Sequence, residues 1–377
     1  MCRVFEHSVP AWRLEPKWLL NLIVAFLLTL FLVSCTGEFC TSETPTANPF
    51  SAISVYEQTI CVATGSNVYC GTTNDKGHDS NRIPGAGRLF SFQKGQTSDT
   101  QRDILLDTRE GTCLGLPNGK GTFSIMCAQW LVRGLYPLPS AHDLDISTGD
   151  HVTSVVCLGT NAGILCTRFF SQHTRRVLTH ASIRRVAGGW HHVCGINNEG
   201  RILCSELDTE DILRHTLNSQ KGHGCGQVSP PSSGKYVEIT SGAVHTCALS
   251  ESGTVRCWGA GDRLTQNRCF SPFDQEEEFD HGQSRQPPGK FTTIVAGKFH
   301  TCALRPNQTV ECWGANEHGE TNAPEKHFLE IEAGGESSCG VTTEGEFLCW
   351  GDASGLGRQM QQILRASGII NGSTQSE

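Results

Sequence analysis

Cysteine and histidine are the residues of this sequence best equipped for chemistry, and they recur together. In Gly242–Gly259, "GAVHTCALSESGTVRCWG", Cys247 and Cys257 stand ten residues apart. His245 lies two residues before the first cysteine, and Trp258-Gly259 follows the second. Three chemistries use such residues: a metal centre, a thiolate activated by an imidazole, or a disulfide. The same grouping returns along the chain. Its cysteines pair as Cys61/Cys70, Cys113/Cys127, Cys157/Cys166, Cys194/Cys204, Cys247/Cys257, Cys302/Cys312 and Cys339/Cys349. His192, His245 and His300 each sit two residues before a cysteine, and Ser337 takes that place in the last repeat.

The spacing says which elements carry the pairs. Six of the seven are nine or ten residues apart, and the first cysteines of successive pairs are 37 to 55 residues apart. Repeats of that size match one four-stranded propeller blade with its loops. Each pair reads as a β-hairpin. With Cys247 opposite Cys257, Leu249 faces Val255 and Glu251-Ser252-Gly253 forms the loop. A three-residue hairpin loop favours glycine third, where the backbone turns left-handed. Gly200, Gly253 and Gly345 occupy that place, and Gln308 does so in "RPNQT". The same register pairs Ile196 with Ile202 and Val341 with Phe347. The nine-spaced pairs leave two-residue turns, Gly65-Ser66 and Asn161-Ala162.

Zinc sites generally use a closer cysteine knuckle, and catalysis needs one activated thiolate rather than a part repeated around a ring. The reading therefore favours seven disulfides over free buried thiols or metal, with neither metal nor cofactor required. The histidines read as fillers of buried polar niches, bonded to backbone of a neighbouring strand. Trp258, Trp313 and Trp350 read as packing between blades rather than as a ligand cage.

Nineteen cysteines in 377 residues suit an oxidising compartment. The N-terminus agrees. Lys17 precedes a sixteen-residue apolar run, Trp18–Val33, which is short for a membrane span and fits a signal-peptide core. The run ends in Leu32-Val33-Ser34-Cys35, which resembles the bacterial lipobox. That resemblance implies cleavage before Cys35 and lipid on its sulfur, giving a membrane anchor at the cell envelope. Residues 1–34 are then a signal peptide, 35–49 a Thr/Ser/Pro-rich tether, 50–365 the propeller and 366–377 a tail. A net charge of −8 without a basic run argues against nucleic acid as partner.

"AGKFHTCAL…VECWGANEHGE", from Ala296 to Glu320, resembles the regulator of chromosome condensation repeat. "SGAVHTCALSESGTVRCWG" and "CWGDASGLG" share its pattern. The resemblance covers about residues 50–360, more strongly in the last four repeats, and implies an all-β, seven-bladed β-propeller. The cysteine-paired form is similar to crinkly-type receptor ectodomains. The founding member of the family exchanges guanine nucleotides on a small GTPase, a role that export disfavours here and that fold alone does not transfer.

Function is then expected in what does not repeat. Two insertions stand out, between Cys204 and Cys247 and between Cys257 and Cys302. Each carries an extra cysteine, Cys225 and Cys269, which are candidates to bridge loops of adjacent blades. The second also holds an acidic cluster, Glu276-Glu277-Glu278 with Asp280. Cys40 has no evident partner. Asn307-Gln308-Thr309 and Asn371-Gly372-Ser373 are glycosylation acceptors only in a eukaryotic source. The expected function is binding or adhesion to a protein or glycan through loops on one face. The alternative is an enzyme at the central channel, which two or more titratable side chains converging on the axis would favour.

Overall fold

The computed structural model describes residues 50, 52–56, 59–64, 67–72, 87–91, 104–107, 111–117, 120, 122–129, 135–148, 154–168, 174–207, 225–261, 279–352, 354–366 and 368–370. They form seven antiparallel sheets and one helix.

Three sheets have four strands among the described residues. The first contains β1 (Ala52–Tyr56), β2 (Thr59–Thr64), β3 (Asn67–Thr72) and β4 (Gly87–Ser91). The second contains β5 (Ile104–Asp107), β6 (Gly111–Pro117), β7 (Phe123–Gln129) and β8 (Leu135–Ala141). The third contains β9 (Asp143–Thr148), β10 (Ser154–Thr160), β11 (Gly163–Arg168) and β12 (Thr174–Thr179).

The other four sheets have three described strands each. They are β13 (Ile183–Gly188), β14 (His192–Asn197) and β15 (Ile202–Glu206); then β16 (Tyr236–Ser241), β17 (His245–Ser250) and β18 (Val255–Gly259). The sixth has β19 (Thr293–Ala296), β20 (His300–Leu304) and β21 (Val310–Gly314). The seventh has β22 (Phe328–Gly334), β23 (Ser337–Thr342) and β24 (Phe347–Gly351).

The first strands close a ring. β1 lies against β5, β5 against β9, and so on through β13, β16, β19 and β22, which returns to β1. This is a seven-bladed propeller with the first strand of each blade at the axis. Its core is divided into slabs between blades. One slab holds Ile196, Ile202, Ile239 and Trp258, another Leu304, Phe328, Ile331 and Trp350. Trp258 and Trp313 donate Nε1–H to the carbonyls of Gln227 and Gln283, each at 2.8 Å. Those carbonyls belong to Gly226-Gln227 and Gly282-Gln283 turns, so the distal parts of both insertions are repeating scaffold.

In all seven hairpins the paired cysteines face each other. The expected partners Leu249/Val255, Ile196/Ile202 and Val341/Phe347 are in register, and Asn161-Ala162 is the turn of its hairpin. Gly65-Ser66 lies outside the described residues. Gly200, Gly253, Gly345 and Gln308 have φ of 79°, 81°, 82° and 68°. This left-handed turn also joins blades: the carbonyls of Gly200, Gly253 and Gln308 accept the N–H of Tyr236, Phe291 and Phe328 at 2.9, 2.8 and 2.7 Å.

Helix α1 (Ser354–Ala366) packs on β24, β2 and β3, between the last blade and the first. Leu356, Met360 and Leu364 recur every four residues, which places them on one stripe, and all three are fully buried. They join Ile53, Ile60, Val62, Val341 and Phe347 in one cluster. Gly368, at φ 68°, ends the helix: its N–H reaches Arg365 O, and Ile369 N–H reaches Leu364 O, both at 2.9 Å. That pair of bonds is a Schellman cap. The helix and its cap thus straddle the boundary between residues 365 and 366 at which the sequence reading ends the propeller.

Candidate binding face and axial carboxylates

The cysteine–histidine constellation is scaffold. Disulfides join Cys157–Cys166, Cys194–Cys204, Cys247–Cys257, Cys302–Cys312 and Cys339–Cys349. Their Cα atoms are 4.0–4.1 Å apart, which suits the closely spaced, non-hydrogen-bonded sites of an antiparallel pair. Cys257 N–H accordingly points outward, to Gln286 Oε1 at 3.2 Å. Cys61 and Cys225 are also disulfide-bonded. The side chains of Cys70, Cys113 and Cys127 lie outside the described residues.

Each histidine reaches into the next blade. His192 Nε2 lies 2.9 Å from Thr246 Oγ1, His245 Nε2 2.9 Å from Thr301 Oγ1, and His300 Nε2 2.8 Å from Ser338 Oγ. Each Nε2 thus meets a hydroxyl, the one directly before the next blade's cysteine, and His192 also has the expected backbone partner, at His245 of the next blade. At two of the places where histidine is missing, the next blade offers no hydroxyl. The corresponding residue after the last blade is Ile60, and Ser337 stands in the histidine position. The residue facing the third blade is Val193, and Val155 stands there, the two sharing one apolar cluster. Histidine occurs in these repeats only where the next blade offers a hydroxyl.

Burial lowers the three imidazoles from 6.5 to about 3 for His192, about 3 for His245 and about 4 for His300. Neighbouring histidines add to the effect at the first two. All three are neutral near pH 7 and sealed from substrate, which removes them as catalytic bases.

The axis carries the charge. Inner strands present one backbone edge to the channel, and its N–H groups need acceptors. Asp143 Oδ2 accepts Val186 N–H and Asp145 Oδ2 accepts Gly188 N–H, both at 2.9 Å. Glu238 Oε2 accepts Ile294 N–H at 3.3 Å, and Thr240 Oγ1 accepts Ala296 N–H at 3.1 Å. Burial raises Glu238 from 4.5 to about 7. Ile294 N–H and Arg185 oppose that rise, and Asp143 adds to it. Glu332 is pushed well above the carboxylate range, by burial first and then by Glu330, Asp145 and Glu238. Titratable groups do converge on the axis, but three of these carboxylates are committed to holding backbone.

The end of the propeller opposite the hairpin turns differs. Loops between first and second strands are linked in series there: Trp190 N–H donates to Ala243 O, Ala243 N–H to Lys298 O, and Lys298 N–H to Gly335 O, at 2.9, 2.9 and 2.7 Å. On this rim Trp190 meets Phe279 and Phe299 edge-on, with centroids 5.7 and 5.6 Å away. Phe279 stacks on Phe299 at 5.5 Å, and His281 lies 5.2 Å from Phe299. Lys298 Nζ sits 5.3 Å from the Trp190 centroid and 5.1 Å from that of Phe299, within cation–π range. Phe279 is buried, and Trp190, Phe299, His281 and Lys298 are half-buried. Cys225 and Phe279 bring both insertions to this cluster. Sequence reading reached the insertions but not Trp190, Lys298 or Phe299, which lie in short loops within the repeats.

Of the proposed acidic loop, Asp280 is described. It pairs with Arg285 through both carboxylate oxygens at 3.1 Å and accepts Gly282 N–H. Glu276, Glu277, Glu278, Cys35, Cys40, Cys269 and Asn371 lie outside the described residues. Asn307 is at an exposed hairpin tip, its Oδ1 accepting the N–H and hydroxyl of Thr309.

A family model for the regulator of chromosome condensation (RCC1) repeat matches residues 236–263 and 291–320, the hairpins of the fifth and sixth blades with their flanks. Among solved structures, the chain is similar to the CRINKLY WD40 ectodomain of the Arabidopsis thaliana receptor kinase ACR4. Identity is 18% over 80% of this chain and 94% of that one, with a TM-score of 0.48. Human WBSCR16 is 10% identical over 78% of this chain and 87% of its own, with a TM-score of 0.50. Prp20p of Saccharomyces cerevisiae, which binds Gsp1p and histones, is 14% identical over 82% and 85%, with a TM-score of 0.49. The match to WBSCR16 concerns the fold alone. With the repeat model falling on two adjacent blades and bridged hairpins recurring around the ring, the chain is an RCC1-like, disulfide-bearing repeat protein.

Proposed function

We propose that this protein is an exported, non-enzymatic propeller that binds a protein or glycan through the face carrying Trp190, Lys298 and Phe299, held to the membrane by lipid on Cys35. One observation carries the reading: this face gathers aromatic rings around a cation from loops of different blades. The cysteines and histidines are consumed in stapling and joining blades. Aromatic rings with a cation above them, drawn from several blades, form a half-buried platform of a kind that binding sites use. Disulfides in blade after blade support export.

An enzyme at the axis has the converging carboxylates in its favour. Their use as acceptors for strand N–H groups supports a scaffold role instead. Guanine-nucleotide exchange fits poorly with export.

A photoreactive amino acid placed at position 298 of the full chain, in its native cells, tests the reading. Adducts are expected there and not with the probe at Glu199, on a hairpin tip at the opposite end. Trp190→Ala should weaken capture by about tenfold, the scale of a moderate hot spot. Adducts only at position 199 would refute the binding face. Release of Cys35→Ser from the membrane fraction would support the anchor, and its retention there would refute it.

A further inference from the structure

The axial carboxylates form a set that the proposed binding face does not use. Two levels of the inner strands point the same way, fixed by register against the second strands. The upper level, opposite the first cysteine of each pair, holds Ser54, Leu106, Asp145, Ala187, Thr240, Val295 and Glu332. The lower, two residues earlier, holds Ala52, Ile104, Asp143, Arg185, Glu238, Thr293 and Glu330. At these two levels the described residues thus place Asp143, Asp145, Glu238, Glu330 and Glu332 with Arg185. Blades 3, 5 and 7 contribute the acids, and the flanking strands β1, β5 and β19 contribute no charge at these levels.

Three of the acids are also mechanical parts. Asp143 and Asp145 tie β9 to β13, and Glu238 ties β16 to β19. Charge on one therefore acts on a blade-to-blade joint and on the other acids around the channel. We propose that the axis is a proton-linked clasp: protons held among these carboxylates keep the inner strands drawn together, and their loss as pH rises loosens the ring.

The direction follows from linkage. Glu238 titrates near 4.5 in the unfolded chain and about 7 when folded, and Glu332 moves the same way. The folded form therefore binds more protons between these values. The stabilisation is full below about 4.5 and is lost as pH rises through about 7. The buried histidines act oppositely. Their folded values are depressed, so their contribution is present above 6.5 and lost as pH falls below it. The wild-type profile sums both effects, and the clasp is read from differences between variants.

The test uses the full chain with its disulfides intact. Glu238→Gln keeps an acceptor for Ile294 N–H but cannot ionise. Relative to wild type, its folded-to-unfolded ratio should improve on the order of 30-fold more at about pH 8.5 than at about pH 5.5. An equal effect at both pH values, or greater benefit at the lower one, would overturn the clasp. Carboxyl NMR of the wild type stands independently of how the variant folds. A Glu238 midpoint near 7, moving down when Asp143→Asn removes the neighbouring charge, is the expected result. An ordinary carboxylate midpoint, or one indifferent to Asp143, would refute it.

Discussion

Gly242→Ala is expected to destabilise the protein by about 3 kcal/mol or more and to leave little of it folded. A Cβ on Gly242 would stand 2.2 Å from His245 Cε1 and 2.4 Å from Gly297 O. Neither can retreat. The imidazole is fully buried and fixed by Thr301 in the next blade, and the carbonyl is backbone of that blade. Gly189 and Gly297 meet His192 and His300 in the same way, at 2.0 and 2.1 Å. The glycine three residues before each histidine is thus the space its ring occupies. Gly345→Ala provides the contrast. Gly345 has φ 82°, and a methyl group there would meet nothing within 4 Å. The substitution should therefore cost only the left-handed backbone term, about 1 kcal/mol. Denaturant melts of the two variants should separate these effects. Equal losses would mean that the histidine niche is not the constraint.

Ending the chain after Gly351 is the second large effect. It removes Leu356, Met360 and Leu364, each fully buried, and uncovers Ile53, Ile60, Val62, Val341 and Phe347. At roughly 2 kcal/mol for each lost side chain, the seam between last and first blades weakens by about 6 kcal/mol, comparable with the whole stability of many domains. Limited proteolysis should then cut first in blades 1 and 7, while the slab around Ile196, Ile239 and Trp258 survives longer. Leu364→Ala should show the same order of cutting with a loss of about 2–5 kcal/mol. Unchanged resistance of the shortened chain would show that the ring closes without the helix.

The hairpins were legible because their signals are local. Two cysteines, a glycine third in the loop and paired apolar residues fall within a dozen positions. The histidine partners were not, because Thr246 lies 54 residues from His192 and Thr301 lies 56 from His245. The clue was nonetheless present, as a hydroxyl residue stands directly before Cys247, Cys302 and Cys339. The axial acceptors were visible as well: Asp143/Asp145, Glu238/Thr240 and Glu330/Glu332 are two apart, on one face of a strand. What strand periodicity could not tell is that this face meets the axis. The helix escaped because its apolar stripe follows the repeats directly and was read as more of the same. The platform at Trp190 and Lys298 depends on three blades meeting, which no single repeat encodes.

The recurring cysteines staple the hairpins of their own repeats. Peptide mapping of the non-reduced full chain tests this most directly. The expected fragments have Cys157 joined to Cys166, Cys194 to Cys204, Cys247 to Cys257, Cys302 to Cys312 and Cys339 to Cys349. Free thiols at these positions, or bridges from one repeat to another, would contradict it.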